Sequence, residues 1–170
     1  MGGSNNPDGS CRIWNLIWQA ACHHPSSLGT PDAMHVKLNV DASFLPQDGS
    51  AAWDAVLHDH KGMVIASAWN VINNCLDAEM AETAACLFAI QSLHQVSSLP
   101  MLVECDSAAV VQAINSPGPC RSPIAGLIAH IKKLLVYDPG IKVSKVNRKS
   151  NEVANTIARW SRSVLRCGVF

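Results

Sequence analysis

The 170-residue chain is 48% hydrophobic and only 15% charged, which suits one buried core and argues against a chain that is disordered throughout. Its 13 basic and 13 acidic side chains cancel, so bulk charge excludes a histone-like or polybasic membrane-binding protein. No run reaches the roughly 18 uninterrupted apolar residues that span a bilayer, and a soluble chain with no membrane partner is expected.

Residues 1–33 are expected to form a mobile N-terminal segment. Within it, Ile13, Leu16, Ile17 and Ala20 recur at the spacing of a short helix over residues 12–22, and a Pro/Ser/Gly-rich linker follows. From His35 to Phe44 the pattern changes to period two. Val36, Leu38, Val40, Ala42 and Phe44 share one face of a strand, and Lys37, Asn39, Asp41 and Ser43 share the other. Turn-forming residues at 46–50 and 59–62 separate it from strands over 51–58 and 63–71, which makes a three-stranded antiparallel meander.

Asp77 is placed to cap a helix reaching to about Val96, with Met80, Ala81, Ala84, Leu87, Phe88 and Ile90 on its apolar face. The apolar run 101–106 suits a buried strand, and Ser107 opens another helix carrying Val110, Val111 and Ile114. A Pro/Gly-rich loop over 116–123 precedes a helix at 124–136, a strand at 141–146 and a last helix at 151–165. Residues 34–165 therefore predict one α/β domain, and residues 166–170 a C-terminal tail. Its mixed five-stranded sheet has three antiparallel strands followed by two parallel ones, with helices on both faces.

Seven scattered cysteines without a C-x-x-C pair indicate neither a disulfide framework nor a zinc site, which predicts a reducing, intracellular compartment, nuclear or cytoplasmic. Charge is unevenly spread. Up to Ile131 there are 4 basic and 11 acidic side chains, and from Lys132 onward 9 and 2. Such polarity suits cations held in one place and a polyanion nearby, and equally suits two solvated faces of opposite sign.

Three carboxylates stand where a sheet end and a crossing helix can meet: Asp41 on the first strand, Glu82 one turn into the first long helix, and Asp106 at the end of the fourth strand. Singly, each has another account, as a solvated strand residue, a complement to a helix N-terminus and a helix cap. Brought together they repel unless cations lie between them, and Mg2+ is the natural choice because it takes hard oxygen ligands. Two such ions roughly 3.5–4 Å apart stabilise the attacking and leaving oxygens of a phosphodiester. Glu79, on the same helical face, rivals Glu82, and Glu104 shares the strand face of Asp106 as a supporting group. His58 and His60, at spacing two, form a weaker metal candidate. Trp14, Trp18, Trp53, Trp69 and Trp160 read as core or cover.

The segments Lys37-Leu38-Asn39-Val40-Asp41-Ala42-Ser43, Ala81-Glu82-Thr83-Ala84-Ala85-Cys86, Val103-Glu104-Cys105-Asp106-Ser107 and Val146-Asn147-Arg148-Lys149-Ser150-Asn151-Glu152-Val153-Ala154-Asn155 stand in the order seen in plant ribonuclease H-like domains. Val56-Leu57-His58-Asp59-His60-Lys61-Gly62 resembles the family's second hairpin, so the likeness runs from about residue 34 to residue 163. Those domains are similar to the type 1 ribonuclease H module of non-LTR retroelement polyproteins.

The resemblance implies the ribonuclease H fold and hydrolysis of the RNA strand of an RNA–DNA hybrid, with two Mg2+ ions, or Mn2+ in their place, in a monomer. Asp41, Glu82 and Asp106 match the catalytic, metal-holding carboxylates, and the fourth position falls on Asn155, where the family has Asp or His. Asn offers a neutral carbonyl oxygen and no charge, which implies weaker metal binding and reduced activity. A catalytically degenerate nucleic-acid-binding domain is the alternative. Asp54, beside Trp53 where small residues are usual, implies either an exposed edge or interference with approach of the hybrid. Ser107 and Asn115 are candidates for hydrogen bonds to substrate, and Arg148, Lys149 and Arg159 for attracting its phosphates. Lys132 and Lys133 read as exposed helix positions.

Overall fold

The structure is a computed structural model that describes residues 30–148 and 168–169. Alternating residues build β1 (Val36–Leu45), which pairs antiparallel with β2 (Ser50–His58), itself antiparallel to β3 (Val64–Ile72). The two hairpin turns follow from local chemistry. Gly49 and Gly62 take left-handed backbone angles, with φ of 69° and 76°, that side chains disfavour. The Asp48 carboxylate accepts from the Ser50 N–H at 2.9 Å, and Asp59 accepts from the N–H groups of Lys61 and Met63 at 2.8 and 2.9 Å.

Helix α1 (Ala78–Leu93) starts where expected, with the Asp77 carboxylate accepting from the Met80 N–H at 2.7 Å. It ends at Leu93, earlier than Val96, and the His94 backbone N–H and ring Nδ1 each lie 2.9 Å from the Ile90 carbonyl. β4 (Met101–Cys105) returns beside β1 in parallel. Then come α2 (Ala108–Asn115), α3 (Ala125–Tyr137) and β5 (Ile141–Lys145), the last parallel to β4. A two-residue strand β6 (Gly168–Val169) pairs with Ala68 and Trp69 of β3. The sheet order is β5-β4-β1-β2-β3-β6, the expected mixed five-stranded sheet with a short addition at one edge.

One face of the sheet carries the apolar core, where Val36, Leu38 and Val40 meet Val103, Cys105 and the α1 residues Ala81, Ala84, Ala85 and Ile90. The alanines let the α1 backbone lie close to the sheet, and Ile114, Ile128 and Ile131 bring α2 and α3 into the same cluster. Trp53 is buried and packs against Phe88, with ring centroids 6.1 Å apart, as core. The expected helices at 12–22 and 151–165, together with Trp14, Trp18 and Trp160, lie outside the described residues. No described helix is long and apolar enough to cross a membrane.

The second face corrects the sequence reading. Lys37, Asn39, Asp41 and Ser43 are all buried, so the polar side of β1 is interior as well and the alternative account of Asp41 as a solvated strand residue fails. Asp54 is fully buried and faces Asp41 in register on the central strand β2, which rules out the exposed edge. His58 is not paired with His60, which sits exposed in the β2–β3 turn. Instead, the His58 Nε2 lies 2.9 Å from Asn39 Oδ1, and its Nδ1 lies 3.2 Å from the Asp59 carbonyl. Asn39 Nδ2 donates to Glu104 Oε2 at 3.2 Å, and Lys37 Nζ lies 2.8 Å from Glu104 Oε1. This buried polar chain links β4, β1 and β2.

Two outcomes follow. Asp77→Ala removes the α1 cap and lowers unfolding free energy by about 1 kcal/mol, measured by urea titration. Burial holds the His58 imidazole below its usual value of 6.5, and the Lys37 ammonium adds to the effect. The unfolded chain thus takes up a proton that the fold refuses, and stability is lost as pH falls from about 6.5 toward the lower folded value. The urea midpoint falls between about pH 7.5 and about pH 5.5, and it falls less in His58→Gln.

Candidate active site

The parallel register of β1 and β4 ends at Val40 opposite Cys105, so the next residue on each strand is a carboxylate, Asp41 and Asp106. Helix α1 crosses the sheet, with Ala81, Ala84 and Ala85 buried against it. Its second turn brings Glu82 to the same end. The Glu82 and Asp106 carboxylates and the Cys105 thiol offer ligand atoms that all lie within 4.8 Å of one another. Glu79, the rival, is exposed outside this cluster and contributes its backbone carbonyl, which accepts from the buried Thr83 hydroxyl at 2.7 Å.

Electrostatics tie Asp41 to the pair. Burial, reinforced by the neighbouring Cys105 and by the charges of Asp41 and Asp106, pushes the Glu82 carboxyl up to about 10. Burial and two nearby carboxylates thus disfavour ionisation of Glu82 without a compensating cation. With the Cys105 thiol held protonated, the carboxylate oxygens of this group are the donors chemically suited to a hard divalent ion. Arg148 supplies part of the compensation, its Nε 3.8 Å from Asp106 Oδ2, while its side chain stays 77% exposed.

Cys105 is the residue that sequence reasoning missed as a member of this cluster. It reads as a small core hydrophobe, yet its thiol donates to Glu82 Oε2 at 3.8 Å and its sulfur accepts from the Ser107 N–H at 3.4 Å. The hydrogen bond with Cys86, together with burial, pushes this thiol well above its ordinary value, so it stays protonated. The available signal was its position between Glu104 and Asp106, which turns it toward the helix carrying Glu82.

The remaining candidates are distributed as follows. The Ser107 hydroxyl accepts from the Val110 N–H at 3.5 Å and caps α2. Asn115 donates its amide to the Val143 carbonyl at 3.0 Å, which anchors the end of α2 to β5. Lys132, expected as an exposed helix residue, donates to the carbonyls of Ser116 and Gly118 at 2.6 and 2.8 Å and fastens the Pro/Gly loop. Asn155, Lys149 and Arg159 lie outside the described residues.

Solved structures of similar architecture include ribonuclease H1 enzymes and a foamy virus protease-reverse transcriptase. A ribonuclease H1 isolated from compost by a metagenomic approach superposes with a TM-score of 0.70 at 18% identity, covering 77% of this chain and 97% of that one. The RNase H1 of the halophilic archaeon Halobacterium salinarum gives 0.67 at 20% identity, covering 76% and 98%. The compost enzyme in complex with an RNA/DNA hybrid gives 0.65 at 18% identity, covering 76% and 96%. No curated protein sequence matches the chain. Residues 39–161, more than half of the chain, match the family described as reverse transcriptase-like. With its strand order and helix placement shared with the ribonuclease H1 structures, the chain belongs to the reverse transcriptase-like family and has the ribonuclease H fold.

Proposed function

We propose that this chain hydrolyses the RNA strand of RNA–DNA hybrids endonucleolytically, as a monomer, with Asp41, Glu82 and Asp106 holding two Mg2+ ions, or Mn2+ in their place. The observation that carries this reading is the meeting of Glu82 and Asp106 within 4.8 Å at the sheet end, under the charge of Asp41, in a fold shared with ribonuclease H1. The hybrid-bound compost enzyme supports the substrate class, and the order of the motifs supports an origin in a plant retroelement module.

When bound, the ions supply an activated water and stabilise the attacking and leaving oxygens of the phosphodiester. The chain's own residues set up that chemistry. Asp41 and Asp106 supply oxygen donors from adjacent strands, and Glu82 closes the set from the helix. Arg148, beside Asp106, draws the scissile phosphate toward the carboxylates by charge, with Lys149 and Arg159 adding to the attraction and Ser107 and Asn115 lining the approach. Discrimination of RNA rests on 2′-hydroxyl and groove-shape contacts, with no base code. Asn155 gives the fourth ligand position a neutral oxygen, which lowers turnover and favours, as a second reading, a domain that binds hybrid without cutting it.

A labelled hybrid incubated with the full chain and Mg2+ tests this. Cutting is expected, reduced about a thousandfold by Asp41→Asn and raised by Asn155→Asp. Binding without cutting would favour the degenerate domain, and absence of both would sink either nucleic-acid reading. Independently, Mg2+ at about ten times its dissociation constant stabilises the fold by about 1.4 kcal/mol, a Tm rise of roughly 3–6 °C that Glu82→Gln removes in a thermal melt.

A further inference from the structure

Two residues before Asp41 stands Asn39, and two residues before Asp106 stands Glu104; the parallel register sets these two opposite one another. They are one pair short of the end of the ladder, where Val40 faces Cys105. The bond from Asn39 Nδ2 to Glu104 Oε2, at 3.2 Å, is therefore a side-chain crosslink just behind the two carboxylates. Asn39 is fully buried, and Glu104 is held from its other oxygen by Lys37 at 2.8 Å.

Donor and acceptor accounting fixes the Asn39 amide and the proton on the His58 nitrogen that faces it. A carboxylate only accepts, so Asn39 must turn its NH2 toward Glu104 and its Oδ1 toward His58, whose Nε2 must then carry the proton. The chain from Lys37 to His58 thus has its amide oriented one way and spans β4, β1 and β2, with the other ring nitrogen of His58 turned to the Asp59 carbonyl. Strand ladders open first at their ends, and the Asp41 and Asp106 side chains leave from positions just past this end, so their separation depends on what restrains it.

We infer that the Asn39–Glu104 crosslink positions the metal-holding carboxylates: by fixing the end of the β1–β4 ladder it sets the spacing of Asp41 and Asp106, and with it the affinity for divalent cations. Asn39 and Glu104 are positioning residues that touch neither substrate nor ion. The inference rests on reading Asp41 and Asp106 as ligands, and the test separates the two.

Mn2+ binding to the full chain, followed by electron paramagnetic resonance, is measured beside kcat and KM on hybrid and a thermal melt. In Asn39→Leu, which keeps the volume and removes the crosslink, Mn2+ binds about tenfold more weakly and kcat falls with it, while KM for hybrid stays within about twofold. Glu104→Gln rescues. The Asn39 amide turns over, His58 moves its proton to Nδ1, facing the Asp59 carbonyl, and Mn2+ affinity stays within about threefold of the wild type. The 15N shifts of His58 report the exchanged tautomer. Should Asn39→Leu fail to fold, the Lys37→Met/Glu104→Leu pair, which leaves no ammonium buried alone, carries the same expectation.

Wild-type Mn2+ affinity in whichever crosslink-free variant folds overturns the inference, and so does a Glu104→Gln variant as weak as Asn39→Leu. A wild-type chain that binds Mn2+ without cutting hybrid overturns hydrolysis alone, and the variants' affinities still decide the positioning role. A wild-type chain that binds no Mn2+ overturns both.

Discussion

Parallel pairing of β1 with β4 is the constraint from which the site follows. Strands 36–40 and 101–105 run side by side for five residue pairs, and a carboxylate waits one step beyond the last pair on each. Because side chains alternate faces with a period of two, a slip of one residue would send Asp41 or Asp106 to the opposite side of the sheet. Register here is fixed twice, by the apolar contacts of Leu38, Val40 and Val103 on one face and by the polar chain through Asn39 and Glu104 on the other.

That polar face runs against the ordinary economy of a core. Burying Lys37, Asn39, Asp41, Asp54 and His58 withdraws strongly hydrated groups from water, and each needs a partner to offset the loss. The Lys37–Glu104 contact and the Asn39 amide supply partners with defined directions, which apolar residues of similar volume do not. Apolar packing would hold the strands together as well. It would not specify how the amide and imidazole between them must point.

Much of the fold was readable from the chain because its signals are local. The alternation from Val36 to Phe44, the Asp77 cap and the two turn glycines each act through neighbours a few residues away, and the structure follows them closely. What the pattern does not carry is what lies over a face. Period two reports that Lys37, Asn39 and Asp41 point together; it is silent on whether water or protein meets them, which is why a solvated Asp41 stood as an alternative. The same gap explains Asp54, whose strand position could be read but whose central place in the sheet could not. Of the candidate site, Asp41, Glu82 and Asp106 were named from the sequence with Glu79 as a rival, and the structure gathers Glu82 with Asp106 while Glu79 stays exposed outside the cluster. The thiol of Cys105 was hidden because a free cysteine in an apolar strand has an ordinary explanation.

Lys132 shows that a count of cations differs from a surface. It belongs to the basic C-terminal quarter, yet its ammonium is committed to two loop carbonyls that α2 and the Pro/Gly segment leave unsatisfied. Lys37 is likewise absorbed by Glu104. The positive field available to a polyelectrolyte is therefore smaller than a tally of lysines and arginines along the polypeptide would give, and among the described residues of that quarter it falls to the exposed Lys133, Lys142, Lys145 and Arg148.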